Sequence, residues 1–291
     1  AEVFAQLRKA PRLDQDDGSG WRARPHTELH ATNDKKLMTF TEDPPREFWP
    51  VFKGESFDLW EQDTGKYYAW ADPKIVIPAL QKSRLRSAKL QRSAFHDLGA
   101  ESLKNPRTLP CYHLRLAFRD VTNATNTRTV IAALLPAEVF ITNKGPYFVW
   151  SRGDNQDVAY LLAVLSSIPL DWYARRFVEI NLNYYVLNPF PIPRPARSST
   201  QWQRAVKLAG RLSSTGPRFA EWAESLRVEC GPLEADEKDD MIHELDAVVA
   251  HLYGLHEDQL RHIFETFHDG WDYAQQMEST IEHFRLWQTR L

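Results

Sequence analysis

The chain has 291 residues, 43% apolar and 26% charged with a net charge of −3, which bounds it as a globular protein of one or two domains. Eighteen prolines and ten tryptophans exclude a simple helical bundle and favour a mixed fold with many ordered loops. The longest apolar run, TVIAALLPAEVFI (129–141), is too short for a membrane span and is broken by Pro136, and no secretory signal is present. Cys111 and Cys230 stand far apart without a CxxC, so neither a disulfide framework nor a zinc site is indicated, and a reducing, cytoplasmic setting is expected. The chain starts AEVFAQLRKA, without Met, and is expected to be part of a longer protein.

Residues 1–48 read as an irregular N-terminal connection, broken at DQDDGSG (14–20) and TEDPPREF (41–48). FWPVFKGESFDLWEQDTGKYYAW (48–70) predicts a hairpin with its turn at DTG (63–65). KIVIPAL (74–80) reads as a short strand, and RLRSAKLQRSAFHDL (84–98) as a basic helix or loop. YHLRLAFRDV (112–121), TVIAALLP (129–136), AEVFITN (137–143) and PYFVW (146–150) are strand-like runs bounded by Asn, Gly and Pro.

From Asp154 the periodicity changes: Val158, Leu161, Leu162 and Leu165 recur at helical spacing, Asp154 or Asn155 can cap the helix, and Pro169 starts a second helix or kinks the first. The prolines of NLNYYVLNPFPIPRPAR (181–197) predict an extended, rim-following segment. Helices are then predicted near 200–227, 236–253, 256–268 and 272–290. The expected architecture is a mixed α+β (α/β) fold: a domain with a short-stranded sheet at 49–197, then a helical spacer or docking region at 198–291.

No glycine-rich phosphate loop, HExxH or GxSxG occurs, and the acidic GDNQD (153–157) sits where a helix cap is expected. The residues thus give no positive evidence of a catalytic or metal site, a long-range triad being beyond the reach of spacing, and the chain reads as a binding module. The charge is unevenly spread. Residues 74–128 carry eleven Lys and Arg against three acids, a local net of +8, whereas residues 221–291 carry a net of −12. Arg84, Arg86, Lys89, Arg92, Lys104 and Arg107 of the basic segment suit the phosphates of DNA, whose condensed counterions they would release. Pairing of these bases with the acidic C-terminal helices is the alternative.

In FRDVTNATNTRTVIAALLP (118–136), Asn123, Asn126 and Arg128 suit base or phosphate contacts, while local capping of a polar turn is slightly favoured on chemistry alone. Asn183 and Tyr184 of NLNYYVL suit stacking on a base, or half-buried strand packing.

FRDVTNATNTRTVIAALLP and the later FVEINLNYYVLNPFPIPRP, together with ELHATNDKKLM (28–38), WPVFKGESFDLWEQDTGKYYAW (49–70) and IHELDAVVAHLYGLHEDQLRHIFETF (242–267), resemble the target-recognition region of large adenine-specific DNA methyltransferases. These include type IIG restriction–modification enzymes and the methyltransferases of BREX- and DISARM-type phage-defence islands. The resemblance implies a DNA sequence-recognition domain that grips double-stranded DNA and presents adenine to a methyltransferase domain of the same polypeptide. That domain, and not this chain, would hold S-adenosylmethionine and an Asn-Pro-Pro-Tyr-type motif; LNPFPIP (187–193) resembles the exit of the recognition domain. Other defence-system subunits are possible partners, and no membrane is implied.

On this reading the basic segment, with Lys144, contacts the DNA backbone, and Arg119 and Arg128 hold the framework or the phosphates. Base-reading residues are expected in the loops 81–107 and 143–157. A second reading from the acidic helices is a protein-interaction or assembly module with little DNA contact.

Overall fold

A computed structural model of the chain describes residues 2–290. In chain order it forms α1 (Glu2–Leu7), β1 (Arg22–His26), β2 (Trp49–Phe52), β3 (Ala69–Ala71), α2 (Pro73–Ser87), α3 (Ala100–Lys104), β4 (Arg115–Phe118), β5 (Ala132–Leu135), β6 (Phe140–Ile141) and β7 (Tyr147–Arg152). Eight more helices follow among the described residues: α4 (Asn155–Leu165), α5 (Ile168–Ala174), α6 (Tyr184–Leu187), α7 (Thr200–Leu212), α8 (Ala220–Leu226), α9 (Ala235–Leu252), α10 (Glu257–Glu265) and α11 (Ala274–Gln288). The fold is mixed α+β with small, largely antiparallel sheets and a helical C-terminal region.

Contacts divide the chain into two compact units, at points other than 48/49 and 197/198. A sheet unit comprises Gly18–Val121 and Ala132–Gly153, and a helical unit comprises Ala1–Asp17, Thr122–Ile131 and Asp154–Leu291.

In the sheet unit, one sheet has the order β1-β7-β4-β5, every pair antiparallel. β4 and β5 are buried at every position, which explains their unbroken apolar reading. The second sheet, β3-β2-β6, pairs β2 with β3 antiparallel, with Val51 opposite Ala69, as the hairpin reading required. The turn sits at DTG: Asp63 Oδ1 accepts from the Gly65 amide at 2.9 Å, and Gly65 has a φ of +74°.

Residues 18–48 are more ordered than expected, because β1 is an edge strand where Pro25 costs no ladder bond. Just after it, Glu28 accepts from Arg115 Nη1 at 2.6 Å, Tyr147 OH at 2.8 Å and the Ile141 amide at 3.1 Å. ELHATND therefore supplies the buried acid that locks β4, β6 and β7 together.

The largest correction concerns 74–80, which is helical. Asp72 caps α2, its side chain accepting from the Lys74 amide at 2.8 Å, and Pro73 occupies the first turn, where its missing N–H is harmless. Val76, Ile77, Leu80 and Arg84 form its buried stripe.

In the helical unit, Asp154 caps α4 in a reciprocal capping box with Asp157, and Ser167 caps α5 just ahead of Pro169. The Pro-rich segment departs from expectation at α6, a single turn capped by Asn183; all its prolines lie beyond Leu187, so they end the helix without preventing it. α7, α9 and α11 pack in sequence through Trp202, Leu245, Val248, Val249, Ile281 and Phe284, all buried.

Candidate nucleic-acid interface

The bases of the sheet unit fall into two kinds. α2 is 15 residues long, about 22 Å at the usual rise, and its outer face is exposed at Lys74, Ile75, Pro78, Lys82, Leu85 and Arg86. The chain then turns, leaving Lys89 and Arg92 exposed as well. None of the side chains of Lys74, Lys82, Arg86, Lys89 or Arg92 enters an ion pair among the described residues.

Two of the three acids in this stretch are committed elsewhere. Asp97 takes Arg22 at 3.0 Å and Arg24 at 3.4 Å, and Asp120 lies 3.8 Å from Lys144. Arg24 also donates to the Gln91 carbonyl at 3.1 Å, which pins the turn that presents Arg92. The result is a row of uncompensated positive charge on a helix and the turn after it. A helix of this width fits the major groove of B-form DNA, and flanking cations suit its phosphates.

Lys74 and Lys82 were missed as members of this face because 74–80 read as a strand. The signal that would have placed them is the pair Asp72-Pro73, a helix-start signature.

Arg84 is the second kind. It is 1% exposed and is spent internally, with Nη1 donating to Thr108 Oγ1 at 3.0 Å and Nη2 to Gln81 Oε1 at 2.6 Å, Leu103 O at 2.9 Å and Asn105 O at 2.8 Å. It ties α2 to α3 and the turn beyond, and is not a surface cation. Arg107 is exposed, its guanidinium 5.0 Å from the Tyr112 ring centroid. Arg119 donates to Phe57 O at 2.6 Å and 3.2 Å and pairs with Asp58 at 3.2 Å, so it braces the loop after β2.

The remaining candidates lie in the helical unit. Asn123 Oδ1 accepts from the Thr125 and Asn126 amides at 2.9 and 3.0 Å and from Thr125 Oγ1 at 2.6 Å, a side chain closing its own turn. Arg128 Nε donates to Asp171 Oδ2 at 2.7 Å and Nη2 to Ser166 O at 2.5 Å. Arg175, unnoticed in the sequence, donates to the carbonyls of Ala124, Asn126 and Thr127 at 2.6, 2.7 and 2.7 Å. NATNTR is thus a loop whose polar groups and flanking arginine largely satisfy one another.

Asn183 Oδ1 accepts from the Val186 amide at 3.1 Å, and Tyr184 is half-buried, whereas its neighbour Tyr185 is 93% exposed. The structure therefore assembles Arg86, Lys89 and Arg92 with Lys74 and Lys82. It assigns framework contacts to Arg84, Arg119, Asn123, Arg128 and Asn183. No helix among the described residues is long and apolar enough to cross a membrane.

No protein-family model matches the sequence, and no match stands among the curated proteins. Among solved structures the chain is similar to the type IIL restriction-modification enzyme MmeI in complex with DNA, with a TM-score of 0.43 and 14% identity over 93% of this chain and 37% of that one. It is also similar to the type IIG restriction endonuclease BpuSI, with a TM-score of 0.45 and 12% identity over 99% of this chain and 32% of that one. The chain spans about a third of the length of these two structures.

Proposed function

We propose that this chain is a DNA-recognition module of a restriction–modification or phage-defence methyltransferase, acting on duplex DNA in a cytoplasmic setting. The observation that carries the reading is the row of exposed, ion-pair-free cations Lys74, Lys82, Arg86, Lys89 and Arg92 along α2 and its following turn. α2 would enter or border the major groove, and bases would be read from the turns at 88–99, 105–107 and 143–146; the rest of the expected loops 81–107 and 143–157 is largely α2, α3, β7 and the start of α4. Lys144 and Arg107 would add backbone contacts. Chemistry would belong to a separate methyltransferase domain of the same polypeptide, holding S-adenosylmethionine and modifying adenine at N6, in a BREX- or DISARM-like setting.

A salt titration tests this. Binding of the chain to a random duplex should weaken steeply between about 50 and 200 mM salt, and replacing Arg86, Lys89 and Arg92 together by Ala should flatten the slope of log K against log salt by about 3. Absence of low-salt binding, or an unchanged slope in the triple variant, would refute the reading.

Several carboxylates of the acidic C-terminal helices are already held within the fold. Glu257 pairs with Arg261 and Arg285, Glu244 with Arg204, Glu278 with Arg261, and Asp240 with His283.

A further inference from the structure

The helical unit carries a second cationic feature, distinct in sequence from the basic segment. A groove of about 520 Å³ is lined by Arg8, Lys9, Arg12 and Gln15 on one side and by Tyr173 and Pro189 on the other. Its frame is two chain segments tied by backbone hydrogen bonds: Leu13 N to Phe190 O at 2.8 Å, Asp14 N to Asn188 O at 3.1 Å and Ile192 N to Pro11 O at 2.8 Å. Prolines 11, 189 and 191 stiffen both segments, so the groove is held open by the backbone.

Its three cations are exposed. Arg12 is oriented by Asp14 through two bonds of 2.8 Å, Lys9 donates to the neutral Gln6 Oε1 at 2.6 Å, and Arg8 lies 5.7 Å from the Phe4 ring centroid. Arg8 and Lys9 have no acidic partner among the described residues. The wall beside them is aromatic. Phe4 stacks on Tyr173 at 4.9 Å, and Tyr173 packs on Phe177 at 5.1 Å. Phe177 is 46% exposed, so this column ends in an open ring. The other wall is the exit of α6, the helix on which Tyr185 stands almost fully exposed.

Positive side chains that follow a backbone, with open aromatic rings alongside, are the combination that binds single nucleic-acid strands: the cations take phosphates and the rings take unpaired bases. A flat duplex offers no free base face to Phe177. An acidic protein would satisfy the cations but would leave the rings without a role.

We propose that the groove of Arg8, Lys9, Arg12 and Tyr173 binds a single nucleic-acid strand, with Phe177 as a stacking platform. The site differs from the α2 face, and the proposal stands whether or not that face binds duplex DNA.

The test uses the whole chain and a labelled short oligothymidylate, which has no secondary structure. Binding should be measurable at low salt, and R8Q/K9Q/R12Q should flatten its salt slope by about 2, at about 0.7 per phosphate contact for single strands. F177A should weaken binding roughly tenfold, from the lost stacking. The variant R86A/K89A/R92A should leave oligothymidylate affinity unchanged, which separates this site from the α2 face. Thermal melting of each variant checks folding, and F177Y, which keeps the ring, should restore affinity.

No binding of oligothymidylate, an unaltered slope in R8Q/K9Q/R12Q, or loss of binding with the α2 variant would overturn the proposal. So would polyglutamate binding as tightly as oligothymidylate while F177A has no effect, which would mark a protein-binding groove.

Discussion

Arg128 Nε lies 2.7 Å from Asp171 Oδ2, and that carboxylate also accepts the Thr129 amide at 3.0 Å and the Val130 amide at 3.3 Å. Asp171 is fully buried on α5, so one acid fixes the end of the NATNTRT loop by its backbone and its arginine together. The charge of Arg128 is thereby spent inside the helical unit. Removing Arg128 takes from the buried Asp171 the nearer of two guanidiniums, the other being Arg175 at 3.7 Å, at a cost of about 2–3 kcal/mol. R128A should lower the free energy of unfolding measured in urea by that order while leaving the salt slope of duplex binding unchanged. A slope reduced by about 1 would instead place Arg128 on a phosphate.

Arg175 tests the same loop from the other side. Its guanidinium donates to three successive-turn carbonyls, of Ala124, Asn126 and Thr127, and sits 4.2 Å from the Phe267 ring centroid. A planar fork can serve three acceptors at once, and an ammonium cannot hold the same geometry. R175K should therefore behave much like R175A. Both should raise hydrogen exchange across 123–129 before global stability is lost, with a stability cost of about 2–4 kcal/mol. Exchange unchanged in R175A would show that the Asn123 turn holds the loop alone.

Arg84 and Arg86 stand two residues apart on α2 and should give opposite phenotypes. Arg84 makes four internal hydrogen bonds, and burial is the first cause lowering its pKa; Arg86 is exposed without an ion pair. R84M should lose roughly 3 kcal/mol or more of stability, since the Leu103 and Asn105 carbonyls and Thr108 lose their donor. R86M should unfold like the parent yet reduce the duplex salt slope by about 1. Unfolding curves and binding isotherms of the two variants decide it; equal stability would remove Arg84 from the framework.

That pair also shows what was legible in the sequence. Charge counting located the basic segment but could not tell Arg84 from Arg86, because the distinction is the helical phase of α2. Ile75, Val76 and Ile77 with Pro78 suggested a strand, yet the Asp72-Pro73 cap and the stripe Val76, Ile77, Leu80, Arg84 fit a helix. The strands β4 and β5 were readable because burial on both faces leaves continuous apolar runs. β1, RARPH, has no such pattern; its place in the sheet is set by pairing with β7. The turn closed by Asn123 was legible as local capping, whereas Arg128 suited a phosphate because its carboxylate partner, Asp171, lies 43 residues away, which no local pattern reveals.

Two buried groups give the units opposite pH responses. In the sheet unit the His26 ring packs 4.5 Å from Phe95 and 5.5 Å from Tyr147, and burial, aided by the Arg115 charge, lowers its pKa from 6.5 to about 4. The unfolded chain therefore binds more protons between those values. The stability contributed by neutral His26 is full above pH 6.5 and is lost as pH falls towards 4, by about 3 kcal/mol in all.

In the helical unit Asp246 accepts from the Ile168 amide at 2.8 Å, and burial, opposed by the Arg128 charge, raises its pKa from 3.8 to about 6. Here the folded state holds the proton more tightly. Its stabilising effect is full below 3.8 and is lost as pH rises through 6, again by about 3 kcal/mol. H26F should remove the destabilisation of the sheet unit below pH 6. D246N keeps an acceptor for Ile168 but carries no charge, so it should remove the loss of the helical unit between pH 4 and 6. Denaturant midpoints near pH 4.5, 5.5 and 7 would measure both. A D246N profile parallel to that of the parent would mean the carboxylate is ionised in the fold throughout, held by Arg128.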